Sequence, residues 1–200
     1  MTQPLSVKRF TGSGVDAWIP ELARLRIEVF RAFPYLYDGD PDYEERYLRT
    51  YTQSADSVIV LVFDAERIVG ASTGLPLADE TDNVIAPFRE RHMDIQRIFY
   101  FGESVLLPGY RGRGLGVRFF DEREDHARAL GRFDYTCFCA VDRPRNHPRR
   151  PEGYRSLDDF WRKRGYAPVP ELKAQFSWQD LDEDRETSKE MTFWMKRLAP

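Results

Sequence analysis

The sequence predicts an α/β (α+β) fold in which helices flank one central, mostly antiparallel sheet, all within a single domain spanning residues 1–200. Two observations lead to this prediction. Segments with the period of a helix alternate with β-rich runs along the chain, and no internal repeat is visible. The 200 residues are 42% hydrophobic and include 14 Phe, 10 Tyr and 4 Trp, which is enough for one substantial core.

The first elements are a strand and two helices. Ser6 to Phe10 is predicted as a strand, and apolar residues at helical spacing from Trp18 predict a helix ending near Phe33-Pro34. Asp40-Pro41 is a capping pair for a second helix. That helix carries a stripe of tyrosines, which is more typical of core or rim packing than of a binding site. The stripe consists of Tyr43, Tyr47 and Tyr51.

The later elements are predicted from the same two patterns, helical spacing of apolar residues and β-rich runs. Two β-rich runs, 57–63 and 68–77, are joined by a short turn and predict a hairpin. Gly131 is placed to cap the helix that precedes it. The remaining predictions are a brief helix around 84–88, strands at 97–106 and 133–141, helices at 115–130 and 156–164, and strands near 173–178 and 190–198.

Composition and charge exclude several functions. The formal charge of −3 gives no reason to expect nucleic-acid or membrane binding. The longest aliphatic and aromatic run, 58–63, is far too short to span a bilayer. Residues 1–4 lack the basic-then-apolar pattern of a signal peptide. We therefore expect a cytoplasmic protein.

The cysteines and histidines do not predict a metal site. Cys137 and Cys139 are the only cysteines, and their spacing on a strand turns both side chains to one face, where they cannot easily bridge each other. We expect two buried, reduced thiols. With only these cysteines and with His92, His126 and His147 scattered along the chain, no metal is expected.

The most informative segment is the loop between the predicted strand at 97–106 and the helix after it. Its glycines, Gly112, Gly114 and Gly116, allow a tight turn and leave backbone N–H groups uncovered. Those groups point over the helix N-terminus, where the helix dipole also favours an anion. Arg111 and Arg113 add guanidinium groups suited to phosphate oxygens. This segment predicts a pyrophosphate-binding loop.

Two common phosphate-binding loops do not match this segment. A P-loop ends in Gly-Lys-Ser/Thr, and because this segment lacks that ending we do not expect nucleotide-dependent phosphoryl transfer. A dinucleotide-binding loop needs G-x-G-x-x-G with an acidic residue about 20 residues later, and this segment lacks that pattern as well. The segment instead resembles the coenzyme A loop of the GCN5-related N-acetyltransferase (GNAT) superfamily, V-x-P-x-Y-R-G-x-G-x-G. The matching residues are Leu106, Pro108, Tyr110, Arg111, Gly112, Gly114 and Gly116.

A second segment carries the same resemblance. The predicted late helix ends Phe160-Trp161-Arg162-Lys163-Arg164-Gly165-Tyr166, which is similar to the family signature F-Y-E-K-x-G-F. The resemblance implies a GNAT-like sheet and transfer of an acetyl group from acetyl-coenzyme A directly to the amine of a small molecule or peptide, without an acyl-enzyme. It also implies that the first two helices lie beside the acceptor cleft. A homodimer is left open.

The resemblance also implies which residues hold the cofactor. Backbone groups of Val105, Leu106 and Leu107 would hold the pantetheine arm, with the Leu106 N–H polarising the thioester carbonyl. Asn146 resembles an asparagine often found after the preceding strand. The pyrophosphate would lie on Arg111, Gly112, Arg113, Gly114, Leu115 and Gly116.

A basic loop, residues 142–151, contains four arginines and three prolines and looks like an insertion relative to the family. Two interpretations remain open. The arginines bind the 3′-phosphate of coenzyme A or an acidic acceptor, or they pair with acidic groups on the surface of the protein. The four arginines are Arg143, Arg145, Arg149 and Arg150.

Glu103 is the predicted general base. By the two-residue period of a strand, Phe99, Phe101 and Val105 share its face, and a carboxylate in such an apolar environment is suited to proton exchange near neutral pH. The alternative is an edge carboxylate paired with an arginine. His147 is a weaker candidate base, and His126 is expected to be a packed histidine.

The general acid has more than one candidate in the sequence. The family commonly uses a tyrosine four residues before the glycine of the late helix, where this chain has Trp161. An indole N–H donates a hydrogen bond but is not a usable proton source. Tyr154 and Tyr166 are nearby substitutes, or the thiolate leaves unaided and solvent protonates it. The substitution also leaves open a protein that binds acyl-coenzyme A but has lost catalysis.

Overall fold

Seven strands form one sheet in the computed structural model, which describes residues 4–199. In chain order they are β1 (Ser6–Phe10), β2 (Val58–Asp64), β3 (Arg67–Pro76), β4 (Ile98–Leu106), β5 (Tyr135–Val141), β6 (Ala167–Trp178) and β7 (Thr187–Arg197). Their order in the sheet is β1-β2-β3-β4-β5-β7-β6. Every neighbouring pair is antiparallel except β4 and β5, which are parallel. The predicted mixed, mostly antiparallel sheet is confirmed.

Helices cover both faces of this sheet. They are α1 (Ile19–Phe30), α2 (Pro41–Gln53), α3 (Asp82–Glu90), α4 (Leu115–Ala129) and α5 (Asp158–Lys163). The first three lie on one face, and α4 and α5 lie on the other. The predicted cap of α2 is present, because the Asp40 carboxylate accepts hydrogen bonds from the backbone N–H groups of Asp42 and Tyr43 at 2.9 and 3.2 Å.

Several element boundaries differ from the prediction, since α1 ends at Phe30 and β7 begins at Thr187. Two further differences are larger. A 3-10 helix, Gly12–Trp18, precedes α1 and was not predicted. β6 begins at Ala167, whereas the sequence suggested a start near 173. The first part of β6 was not predicted because it contains Pro168 and Pro170, and prolines are usually absent from regular strands. The structure accommodates them on the terminal strand of the sheet, where the register with β7 shifts between Val169 and Lys173.

The core lies on both faces of the middle strands. All residues of β2 from Val58 to Phe63 are buried, as expected for a strand with helices packed on both sides. Burying one Val or Leu side chain stabilises the folded state by roughly 1.5–3 kcal/mol. The buried cluster extends through β3 and β4, so the strands that carry the candidate site are anchored in the hydrophobic core.

β4 and β5 pair over only part of their length. Ile98, Phe99 and Tyr100 are opposite Tyr135, Thr136 and Cys137, and beyond these residues the two strands separate. The edge of β4 that faces β5 is therefore free of strand pairing from residue 101 onward. This separation opens the sheet at its centre.

A bulge in β4 changes the direction of Glu103. Ser104 is opposite Ser72 and Phe101 is opposite Gly74, so two residues of β4 oppose Thr73 alone. The bulge reverses the alternation of side chains. Phe101 packs against Phe120 of α4, whereas Glu103 faces α1 on the opposite side. The prediction that Glu103 shares a face with Phe99 and Phe101 was wrong, because a strict two-residue period does not hold across a bulge.

The cysteines are buried and do not bond to each other, as predicted. Across residues 4–199, no helix is both long and apolar enough to cross a membrane. Within the same range, no group of three or more His, Cys, Asp or Glu side chains is arranged to hold a metal ion.

Candidate active site

A cleft of about 1500 Å³ lies where β4 and β5 separate. It runs from the glycine-rich loop to the C-terminal end of α1, and residues of β5, α5 and the basic loop form its other wall. Of the predicted cofactor residues, those that line it are Leu106, Arg111, Gly112, Gly114, Leu115 and Gly116. Val105, Leu107, Arg113 and Asn146 are not among the lining residues.

The glycine-rich loop has the geometry of an anion-binding site. Gly112 and Gly114 have φ values of +76° and +79°, a conformation that glycine adopts without strain. No atom lies within 4 Å of where a Cβ would stand on either glycine. Their backbone is therefore open to a ligand directly before Leu115, the first residue of α4. The loop fits a pyrophosphate group.

Side chains around the loop hold it in place. The Tyr110 hydroxyl donates to the Asp64 carboxylate at 2.6 Å, which ties the loop to the turn between β2 and β3. Arg113 donates to the carbonyl of Gly109 at 3.1 Å and stacks on the Tyr110 ring. Arg111 donates through Nε to the Leu106 carbonyl at 3.3 Å while remaining exposed. Arg111 lines the cleft and Arg113 does not, so Arg111 is the better placed of the two arginines for an anion there.

The free edge of β4 presents the Leu106 backbone to the cleft. The N–H of Leu107 donates to the Val69 carbonyl of β3 at 3.0 Å. Backbone groups alternate between the two edges of a strand, so the N–H of Leu106 points toward the cleft. The side chains of Val105 and Leu107 are buried in the core.

A smaller pocket of about 90 Å³ adjoins the cleft on the side of α1 and α2. Its walls are aromatic and come from α1, α2, the segment between them, β4 and β6. The aromatic residues are Phe30, Tyr35, Tyr37, Tyr43, Tyr47, Tyr100, Phe176 and Trp178. The residues that line both the pocket and the cleft are Phe30, Tyr35, Gly102, Glu103 and Cys139.

A buried ionic cluster forms the floor of this pocket. Arg26 of α1 contacts the carboxylates of Glu44 and Glu103, the latter with its NH1 atom 2.5 Å from Oε2. Burial alone would lower the pKa of Arg26, but Glu103 and Glu44 together raise it well above its usual value. Glu103 therefore has an arginine partner, as the sequence left open, but it lies on a central strand of the sheet and not at the edge.

The sequence contained a signal for Arg26 that we did not use. Arg26 lies among Leu22, Leu25 and Val29, on the apolar stripe of α1. A charged side chain in such a stripe must be paired when it is buried. Its partners could not be identified, because Glu44 and Glu103 come from two other elements.

Arg123 of α4 holds the β4 bulge from the opposite face of the sheet. Its NH1 donates to the carbonyls of Thr73 and Glu103 at 3.1 and 2.9 Å, and its NH2 donates to Ser104 Oγ at 2.8 Å. Burial lowers the pKa of Arg123 to about 10. This side chain connects the helix behind the glycine-rich loop to the backbone of Glu103, a role that the sequence analysis missed.

The tyrosine stripe of α2 serves both packing and the pocket. Tyr43 and Tyr47 line the pocket, whereas Tyr51 is fully buried. A Cβ added to Gly102 would stand 1.8 Å from the Tyr51 hydroxyl, so the bulge requires glycine at this close approach. The Tyr51 hydroxyl also donates to Glu80 at 3.1 Å.

The two candidate acids occupy different environments. Tyr154 lines the cleft and is half-buried, with its ring 4.7 Å from that of Phe33. The Tyr166 hydroxyl is buried, donates to Glu124 at 3.1 Å and lies 2.8 Å from Thr136 Oγ1, outside the lining of either pocket. Trp161 forms part of the cleft wall.

The arginines of the basic loop differ in their contacts. Arg143 is bound to the Asp180 carboxylate at 2.7 and 2.9 Å and donates to the carbonyls of Pro34 and Tyr35. For Arg143, pairing with acidic groups of the protein is therefore the correct interpretation. Arg145 and Arg150 line the cleft, so for them anion binding stays a prediction.

Neither His126 nor His147 lies in the cleft lining. A ring nitrogen of His126 is 2.9 Å from the Asp56 carbonyl, and burial lowers the pKa of its imidazole. His126 is thus a packed histidine, as expected. His147 lies in the basic loop, where its Nδ1 accepts a hydrogen bond from the N–H of Arg149 at 3.2 Å.

Cys139 lies at the boundary between the pocket and the cleft. Its sulfur is 3.2 Å from the Tyr100 hydroxyl, and burial raises the pKa of the thiol to about 12. A nucleophilic cysteine needs a thiolate, and these surroundings disfavour one.

Comparisons with known proteins agree with this geometry. A model described as the acetyltransferase (GNAT) family matches residues 22–151, and the chain matches no curated protein at a significant level. A GNAT acetyltransferase from Streptococcus pneumoniae has a similar structure, with a TM-score of 0.59 at 14% identity over 98% of this chain and 100% of that one.

Two further solved structures are similar over nearly their whole length. A putative acetyltransferase from Salmonella typhimurium, solved with its cofactor acetyl-coenzyme A, has a TM-score of 0.59 at 11% identity, covering 98% of this chain and 94% of that one. Ribosomal-protein-alanine N-acetyltransferase from Brucella melitensis has a TM-score of 0.59 at 12% identity, covering 96% and 99%. At these identities the similarity shows a shared fold.

Proposed function

The chain belongs to the acetyltransferase (GNAT) family, and we propose that this acetyl-coenzyme A-dependent enzyme transfers the acetyl group directly to the amine of a small molecule or peptide. The observation that carries the proposal is the shared boundary between the aromatic pocket and the cleft, at Glu103 and Cys139. An amine in the pocket and a thioester in the cleft can meet there without a covalent carrier.

The cofactor half of the site uses the backbone. Acetyl-coenzyme A supplies an activated acetyl thioester when bound. The N–H groups of residues 112–116 and the N-terminus of α4 would hold its pyrophosphate, and Arg111 would add positive charge. The Leu106 N–H would donate to the thioester oxygen as negative charge develops on it.

Glu103 would remove the proton from the incoming ammonium group, directly or through a water molecule. The contact with Arg26 fixes its carboxylate at the pocket boundary, and Arg123 fixes its backbone through the bulge. After the amine attacks the carbonyl carbon, the carbon–sulfur bond breaks and the thiolate leaves. Tyr154, which lines the cleft, or solvent would protonate the thiolate, which needs little help because a free thiol has a pKa of about 8.5.

Ligand binding and thiol release together test this function. Acetyl-coenzyme A at about a hundred times its Kd should stabilise the protein by about 2.7 kcal/mol in thermal unfolding, whereas ATP with magnesium should not. Free thiol should then appear only when an amine is added. Stabilisation by ATP with magnesium and none by coenzyme A would contradict the proposal. Binding of acetyl-coenzyme A without thiol release across an amine panel would indicate a binding module without catalysis.

A further inference from the structure

The lining of the aromatic pocket contains more carboxylate side chains than cationic ones. Arg26 is the only cationic side chain that lines it among the residues that the structure describes, and Glu44 and Glu103 both contact this arginine. The side chains of the three residues are at most 8% exposed. The cluster therefore sets one positive charge against two carboxyl groups, and a third carboxylate would meet no further cation among the described lining residues.

The cluster also contains a buried acceptor, on Glu103, that no hydrogen bond reaches. Neither carboxylate oxygen of Glu103 accepts a hydrogen bond, although both are buried. Oε2 lies against the Arg26 guanidinium, and Oε1 has no ionic partner. Because buried polar atoms are rarely left without a partner, the oxygen at the pocket boundary marks a position for a donor from a ligand. An ammonium group supplies such a donor and the missing positive charge.

The walls favour an apolar body on that ligand. Tyr43 and Tyr47 stack at a ring separation of 6.4 Å along α2, and Tyr35 and Trp178 face the pocket from the other side, with ring centroids 6.1 Å apart. Aromatic faces bind both cations and apolar groups. A volume of about 90 Å³ leaves room for several non-hydrogen atoms beyond the amine.

We propose that the acceptor is a small primary amine with an apolar or aromatic body and no carboxylate beside the amine. This inference rests on the proposed function and deepens it. An α-amino acid would bring its carboxylate close to Glu44 and Glu103, and Arg26, already shared between these two residues, could not neutralise it. Like charges placed together in this way are strongly disfavoured.

Matched acceptors test the inference. Phenethylamine, phenylalanine and phenylalaninamide share one side chain and differ at the group beside the amine. The measured quantity is the kcat/KM for the neutral amine, obtained from thiol release across a pH range so that differences in amine basicity cancel. We expect phenethylamine to exceed phenylalanine by about 100-fold or more, and phenylalaninamide to lie within about tenfold of phenethylamine.

A variant tests whether the buried ionic cluster causes the discrimination against acceptors that carry a carboxylate. Glu44→Gln removes one carboxylate and should lower the ratio between phenethylamine and phenylalanine by about tenfold. A ratio measured within one preparation does not depend on how much of the protein is folded. The matched control is Glu122→Gln on α4, where Glu122 pairs with Arg9 and Arg118 outside both pockets, and it should leave the ratio unchanged.

The failures are distinguishable. Equal or faster turnover of phenylalanine would overturn the inference and leave the acetyltransferase function intact. Ethylamine turning over as well as phenethylamine would overturn the role of the aromatic walls. Turnover of a lysine peptide with no turnover of phenethylamine would likewise reject the small apolar acceptor. An absence of thiol release with every amine would instead contradict the proposed function.

Discussion

The glycine-rich loop and the aromatic pocket flank the same cleft, but they are built differently. The loop is one continuous segment, and it offers backbone N–H groups from Gly112 to Gly116. The pocket is assembled from α1, α2, β4 and β6, and side chains supply all its charge. A site made of contiguous backbone is visible in a sequence, whereas a site made of distant side chains becomes visible only once the chain is folded.

The largest expected effect is on the cofactor side. Gly114→Val should abolish stabilisation by acetyl-coenzyme A, because a β-branched side chain is strained at a φ of +79° and would occupy the space above α4. Thermal unfolding with and without the ligand measures this effect. The matched control is Gly109→Val in the same loop, where the Cβ position is open and φ is not positive. This control should keep the ligand-induced shift.

Retention of the shift by Gly114→Val would mean that the pyrophosphate lies elsewhere. The cofactor side would then be built from side chains like the acceptor side, and the distinction between the two regions would fail. Loss of the shift in both glycine variants would indicate instead that the loop as a whole tolerates no added side chain.

The same difference explains which parts of the molecule were predictable. The strands and helices followed from periodicity, and the coenzyme A loop followed from glycine spacing. The bulge at Gly102 and Glu103 was not predictable, because it depends on pairing with β3 and on the buried Arg123, which donates to the carbonyls of Glu103 and of Thr73 opposite it. The ionic cluster on the pocket floor was not predictable either, because Arg26 and Glu44 are far from Glu103 in the sequence.

The next largest effect concerns the acceptor side. Glu103→Gln should lower turnover by roughly 10²–10⁴-fold, the usual contribution of a general base, with cofactor affinity nearly intact. The deficit should shrink as pH rises, because more of the acceptor amine is then already neutral. Steady-state rates from pH 6 to 10, together with the thermal shift by acetyl-coenzyme A, measure both effects.

Wild-type turnover in Glu103→Gln at neutral pH would move the base to another group. A loss of equal size at every pH would show that Glu103 positions the acceptor and does not accept its proton. Either result would show that Glu103 contributes negative charge to the pocket but is not the general base.

The smallest effect is expected at the two candidate acids. Tyr154→Phe should slow turnover by less than about tenfold, since a thiolate is a good leaving group. Tyr166→Phe should instead lower the free energy of unfolding by about 1 kcal/mol, because it removes the hydrogen bonds to Glu124 and Thr136. Turnover and chemical denaturation of both variants distinguish the two roles. A larger loss of turnover in Tyr166→Phe than in Tyr154→Phe would reverse this assignment.

The central claim is that amine and thioester meet directly at the boundary formed by Glu103 and Cys139. Initial rates measured over a grid of acetyl-coenzyme A and amine concentrations test it most directly. Direct transfer requires both substrates to be bound together, so double-reciprocal plots should intersect. Parallel lines, accompanied by a protein that retains an acetyl group when no amine is present, would show a covalent carrier and contradict the account.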